Sequence, residues 1–304
     1  MPAMARYLIR RTVALVAALF VSSVATFLLV RMVPGDPARL RVKNPTPTNL
    51  AAINHRLGLD RPVPVQYVLF LKNALGAGSL GESIVTGREV KEDLARTWPA
   101  TVKLALAAMA IATVSGVGLG LFGARHAGTW KDTVASAISL VGISVPVFWL
   151  GMLAILVFCL WLGWLPVSDH LLLPSAVLAT IPSAFLARVT RTTVGAALRK
   201  DFIRTARAKG CHEPTVLYRH AGRVACGPVV NMAGVQFGYL LGGAVLTETV
   251  FAWPGIGRYL ASAVLARDYP AVQGALLVLV TLVIAVNFVA DVGHHVLDPR
   301  LRQP

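Results

Sequence analysis

Charge is scarce in this sequence. Only 14% of its 304 residues are Asp, Glu, Lys or Arg, and 56% are hydrophobic. Soluble domains carry about 25% charged residues, so an ordinary soluble fold is excluded. Acidic residues are scarcest: 14 Asp and Glu stand against 29 Lys and Arg, a net charge of +15. That excess flanks long apolar runs instead of forming an aqueous patch, which excludes a nucleic-acid partner. Cysteine is nearly absent. Cys159, Cys211 and Cys226 form no CxxC pair, so neither a disulfide nor a metal site is expected. The adjacent His294 and His295 project in different directions on a helix and make no metal pair. No Walker A loop, HExxH or GxSxG occurs. The chain is therefore expected to be non-catalytic, and any ATPase site must lie on another chain.

Long apolar runs are what the sequence has instead. A helix needs roughly 20 apolar residues to cross a bilayer. Uncharged stretches of about that size or longer recur at 12–30, 104–124, 133–168, 171–187, 224–247 and 269–290. They predict an all-α integral membrane protein with six transmembrane helices. The first run is too long for a signal-peptide core and reads as an anchor that stays. Arg6, Arg10 and Arg11 precede it. With six spans these arginines share a side with the short loop carrying Arg125 and Lys131, with the basic loop 191–225, and with Arg300 and Arg302 of the tail. Lys and Arg mark the cytoplasmic side of short loops, so both termini are expected there.

Three regions follow: 1–31, a cytoplasmic start and first span; 32–100, an extracytoplasmic subdomain; and 101–304, a core with five spans. The second region is rich in turn residues around Pro34-Gly35-Asp36-Pro37, with short helices expected at 50–57 and 65–75. Pro146, Pro174 and Pro182 should kink spans three and four. Gly116 and Gly120, and Gly234, Gly238 and Gly242, have the four-residue spacing of close helix packing. Trp98, Trp161, Trp164 and Trp253 fall at outer edges and Trp130 at an inner one, while Trp149 is expected inside the bundle. Gln236 and Asn287 lie within spans, as helix–helix hydrogen-bonding groups or pathway residues.

The most polar stretch runs from Arg199 to Arg223 between two apolar spans. A short helix is expected from Phe202 to Lys209, capped by Gly210, with a second helix starting at Glu213-Pro214. Its core, Arg204-Thr205-Ala206-Arg207-Ala208-Lys209-Gly210, resembles the EAA loop of ABC importer permeases. Three further segments look like the dipeptide/oligopeptide (peptide/nickel/glutathione) subclass of that family. They are RYLIRR…FLLVRMVPGDPA (6–38), LGLDRPVPVQY (57–67) and TETVFAWPGIGRYLASAVLARDYPAVQG (247–274). The tail Asp298-Pro299-Arg300 is similar to the subclass ending. Two segments depart from the broader pattern. Arg204 and Thr205 stand where it has Glu-Ala, and Gly78-Ser79-Leu80-Gly81 replaces Gly-Asp-Leu-Gly.

The resemblance implies a type I ABC importer permease fold. It also implies a lipid-embedded chain of the plasma (inner) membrane with a second homologous permease, one or two cytoplasmic ATPases and an extracytoplasmic solute-binding protein as partners. ATP and Mg²⁺ would bind those ATPases and no cofactor this chain. Arg204, Thr205, Ala206, Arg207, Ala208, Lys209 and Gly210 would couple to the ATPase, with Ala206 the contact and Gly210 the hinge. Glu248, Trp253, Arg258, Arg267 and Asp268 would form an outer gate or docking face. Di- or oligopeptides are the cargo implied first, nickel or glutathione second. A secondary transporter would need inverted repeats and mid-membrane acids, and the residues offer neither; a membrane scaffold is the remaining alternative.

Overall fold

The computed structural model describes residues 2–32, 60–167 and 170–297. Among these the regular structure is helical. We label α1 Pro2–Met32, α2 Val63–Lys72, α3 Val90–Arg125 and α4 Trp130–Ser144. Then come α5 Val147–Trp161, α6 Leu172–Leu178, α7 Thr180–Ala197 and α8 Asp201–Ala208. Last are α9 Glu213–Val250, α10 Ile256–Leu265 and α11 Tyr269–Leu297. The turn-rich segment around Pro34, the helix expected at 50–57 and the tail from Asp298 lie outside the described residues.

Among the described residues, four helices are long and apolar enough to cross a bilayer uninterrupted: Ile9–Met32 within α1, α3, α9, and Tyr269–Ala290 within α11. Two further segments are broken. α4 meets α5 at 101°, and α6 meets α7 at 50°. Six spans result when each broken pair counts as one. The breaks sit where prolines were expected to act. Val145 is extended before Pro146, as the pyrrolidine ring demands of its predecessor. Pro182 has no N–H for the carbonyl of Leu178, so the ladder is interrupted one turn upstream. The Thr180 hydroxyl donates to the Val177 carbonyl beside that break at 2.8 Å.

Close backbone approach builds the centre. α3 lies against α7 at Gly116 and Gly120, where a Cβ would come within 2.5 Å of the Ser183 and Ala187 carbonyls. α9 lies against α11 at Gly234, where a Cβ would come within 2.8 Å of Ala290 Cβ. Leu104, Ala108, Leu186, Leu240 and Leu241 fill the core between α3, α7 and α9. Without a hydrophobic drive between helices in lipid, such contact and interhelical polar bonds hold a bundle together. Arg191 of α7 supplies one, donating to both oxygens of buried Asp132 at the start of α4, at 2.5 and 2.7 Å.

Apolar side chains on α1 such as Val13, Val16 and Phe20 are more than half exposed, as a lipid-facing helix requires. α2 is laid along α1 through Tyr67, whose hydroxyl shares a 2.7 Å bond with Ser23 and whose ring meets Phe27 edge-on at 5.1 Å. The division expected at residue 100 falls inside α3, which runs unbroken from Val90 through Pro99. Trp149 is 48% exposed rather than packed inside the bundle: the 101° turn just before α5 swings it onto the outer surface.

Candidate functional site

Two short helices close opposite ends of the bundle. α8 follows the end of α7 and precedes α9, on the side where α3 also ends and the 126–129 loop lies. α10 sits at the other side, between the end of α9 and the start of α11.

α8 is amphipathic in the strict sense. Ile203 and Ala206, three residues apart, are buried in one apolar cluster with Val194, Val216 and Ala221. Phe202, Arg204, Thr205, Arg207, Ala208 and Lys209 are exposed. Ala206 therefore belongs to the underside that seats the helix. It is not on the free face, contrary to the expectation that it makes a partner contact, because one helical turn puts it directly beside Ile203. Phe202 is 44% exposed, and Tyr218 on the first turns of α9 is 59% exposed. Neither aromatic stood out in the sequence. The signal that would have found Phe202 is its register: it flanks the buried stripe of Ile203 and Ala206, on the side that carries Thr205 and Lys209.

The end of α8 is fixed by Gly210, at φ +82°. The Gly210 N–H reaches the Arg207 carbonyl at 2.9 Å and the Cys211 N–H reaches the Ala206 carbonyl at 3.2 Å. That pair of bonds is a Schellman cap, which needs a left-handed residue at its turn. A Cβ on Gly210 would meet nothing within 4 Å, so the requirement is one of backbone conformation and not of space. Arg207 then bridges the turn, donating to both Glu213 oxygens at 2.7 and 3.2 Å. That hydrogen bond holds the Arg207 guanidinium above its ordinary pKa. Arg204 pairs with Asp201 at 3.4 Å, both largely exposed. Arg204 and Arg207 thus both have acidic partners within the chain.

The residues expected at the opposite end do not form one charged cluster. Glu248 is fully buried. It accepts from the Thr101 hydroxyl at 2.7 Å and from the Gly257 and Arg258 N–H groups at 2.7 and 3.1 Å. The Thr101 oxygen in turn accepts from the Ile256 N–H at 2.9 Å. The first N–H groups of α10 are therefore capped from other helices, where a negative group also complements the helix dipole. A Cβ on Gly255 would collide with the Glu248 carboxylate, and one on Gly257 with the α9 backbone at Val245. This is the physical reason for two glycines in Trp-Pro-Gly-Ile-Gly. Asp268, also buried, accepts from the Ser83 hydroxyl at 2.5 Å, from the Ile84 and Val85 N–H groups, and from Ala271 N–H at 3.3 Å. It ties the 82–89 hairpin to the start of α11. Arg258 and Arg267 are exposed, and Arg258 donates to the Ala252 carbonyl. Trp253 is half-buried and donates its indole N–H to Ala100 at 2.9 Å. The two acids clamp either end of α10, and of these five residues only the arginines are exposed charges.

Among the described residues no group of three or more His, Cys, Asp or Glu is placed to hold a metal ion.

Comparison with known proteins places this architecture. Residues 116–303 match the family described as Binding-protein-dependent transport system inner membrane component, and residues 4–105 match Binding-prot-dependent transport system membrane comp, N-term. The chain is 40% identical to the Di/tripeptide transport system permease protein DppB of Pseudomonas aeruginosa, over 98% of this chain and 99% of that one. It is 37% identical to the Dipeptide transport system permease protein DppB of Alkalihalophilus pseudofirmus, over 98% and 100%. It is 40% identical to the Glutathione transport system permease protein GsiC of Escherichia coli K12, over 98% and 99%. Among solved structures, the MetNI methionine ABC transporter in inward-facing conformations shares the fold, with a TM-score of 0.58 at 20% identity, covering 67% of this chain and 96% of that one. This chain is a multi-pass inner-membrane protein and belongs to the family of binding-protein-dependent transport system inner membrane components.

Proposed function

We propose that this chain is a permease subunit of an ATP-driven importer of short peptides. The observation that carries the reading is end-to-end likeness, at 40% identity over 98% of the chain, to a permease named for di- and tripeptides. In this reading a second, related permease completes the pathway, cytoplasmic ATPases bind ATP and Mg²⁺, and an external solute-binding protein delivers the cargo. The basic side of the bundle faces the cytoplasm, as the Lys and Arg distribution requires, and both termini lie there.

α8 is the coupling element. Its apolar underside and its Schellman cap make it a stiff knob. Phe202, Thr205, Ala208 and Lys209 form the face an ATPase groove would receive, with the Phe202 ring as the buried anchor. Arg207 and Glu213 keep the knob in register with α9, so a push on α8 is delivered to a helix that runs through the bundle. ATP binding and hydrolysis in the partners then alternate the access of the pathway, each state being favoured by its own contacts. At the far end, α10 is clamped by Glu248 and Asp268, and its exposed Arg258 and Arg267 face a binding protein.

Glutathione is a second reading, favoured by a relative of equal identity. The decisive experiment is reconstitution of the chain with its partners in liposomes. Uptake of a labelled dipeptide that requires ATP and the loaded binding protein is the expected result. Uptake by this chain alone, driven by an ion gradient, would contradict it.

A further inference from the structure

Within the span layer, polar groups gather on an open cavity of about 770 Å³ between α9 and α11. Asn231, Tyr239 and Asn287 line it, together with Arg11 of α1. Asn231 is exposed and Tyr239 is 72% exposed. Both lie on a helix long and apolar enough to cross a bilayer, and Asn287 lies on another. Amide groups turned to lipid at that depth lose their hydrogen bonds to water at a cost of several kcal/mol. Such groups therefore mark a surface that meets something other than hydrocarbon.

The glycine repeat of α9 explains how the cavity is held open. Gly234 and Gly238 pack: a Cβ on the first would press on Ala290, and one on the second would strike the Asn287 carboxamide. That contact holds the carboxamide at the cavity wall. One turn further, Gly242 and its neighbour Gly243 also line the cavity, and a Cβ on either would meet nothing within 4 Å. The same spacing thus does two jobs: two glycines draw α9 onto α11, and the next leaves room.

We propose that this cavity is the chain's share of the solute route, and that Asn231, Tyr239 and Asn287 hold the main chain of a short peptide. The inference rests on the peptide-importer reading and adds the residues that touch cargo. The chemistry is that of the peptide unit. Carboxamides both donate and accept, so they match an amide N–H and C=O without regard to side chain. Among the described residues no acid lines the cavity. The volume falls within the range of roughly 300–1,000 Å³ that accommodates small ligands.

The test uses the whole importer, reconstituted with its second permease, ATPases and binding protein. Gly242→Leu adds bulk to the cavity at a position where a Cβ meets nothing within 4 Å. Gly118→Leu adds the same bulk at an exposed site on α3 where a Cβ likewise meets nothing within 4 Å. Gly242→Leu is expected to assemble with all partners and lose dipeptide uptake, while Gly118→Leu stays near wild type. Asn287→Ala is expected to raise the apparent KM for the dipeptide about fivefold, the scale of one lost hydrogen bond, which a purely structural role would not do. Undiminished uptake by Gly242→Leu overturns the proposal, as does an equal loss in both leucine variants. Failure of Gly242→Leu to retain the second permease overturns it by making the cavity a subunit seat. If wild type takes up no peptide, the importer reading itself fails and the proposal falls with it.

Discussion

α8 and α10 are both short helices at the ends of one bundle, yet they are secured in opposite ways. α10 has its first N–H groups capped by buried Glu248 and Thr101, and Asp268, three residues past its end, is buried among four donors. α8 has no buried charge. Two apolar side chains, one left-handed glycine and ion pairs at the surface hold it. Buried carboxylates are costly to disturb, because removing one leaves several donors without partners. Exposed ion pairs contribute little. The end with α10 is therefore built to stay rigid. The end with α8 offers a free face whose residues can change with modest effect on the fold.

That contrast is open to attack at both ends. The largest effect is expected from Glu248→Ala, which strands the Gly257 and Arg258 N–H groups and the Thr101 hydroxyl in a buried site. It should cost roughly 2–5 kcal/mol, seen as a lowered melting temperature in detergent and poor folded yield. Glu248→Gln, which keeps an acceptor oxygen, should cost less. Asp268→Ala comes next, at about 1–3 kcal/mol, with the 82–89 hairpin becoming the first segment to exchange its amide hydrogens. Gly210→Val forces a β-branched residue into the left-handed region at about 1–2 kcal/mol. It should leave the melting temperature of the bundle nearly unchanged while uncoupling uptake from ATP hydrolysis. Arg207→Ala should change melting least of all, because its bond to Glu213 lies at the surface. Should Arg207→Ala destabilise the bundle more than Glu248→Ala, the assignment of rigid and adaptable ends would be reversed.

The sequence makes some of this contrast legible and hides the rest. α8 lies within a residue of its expected bounds, and its stop is where Gly210 signals it, because a Schellman cap is written in local residues. The breaks at Pro146 and near Pro182 are legible for the same reason. The clamps are not: Thr101 is 147 residues from Glu248, and Ser83 is 185 from Asp268. No local pattern joins them, so two buried acids look like neighbours of two exposed arginines. The inward turn of Ala206 and the outward turn of Phe202 are readable only once Ile203 is known to face the core. In an eight-residue helix rich in small and basic residues the sequence does not say which stripe is the apolar one. Trp149 misleads because a 101° bend reverses the inside and outside of a segment that looks continuous.

The most direct test of the coupling claim is retention of the cognate ATPase by the detergent-solubilised permease, wild type against Phe202→Ala. Removing a buried aromatic anchor costs about 2 kcal/mol or more, so retention should fall roughly thirtyfold, with the melting temperature of the permease unchanged. Equal retention by the two proteins would contradict the claim that α8 is the helix the motor grips.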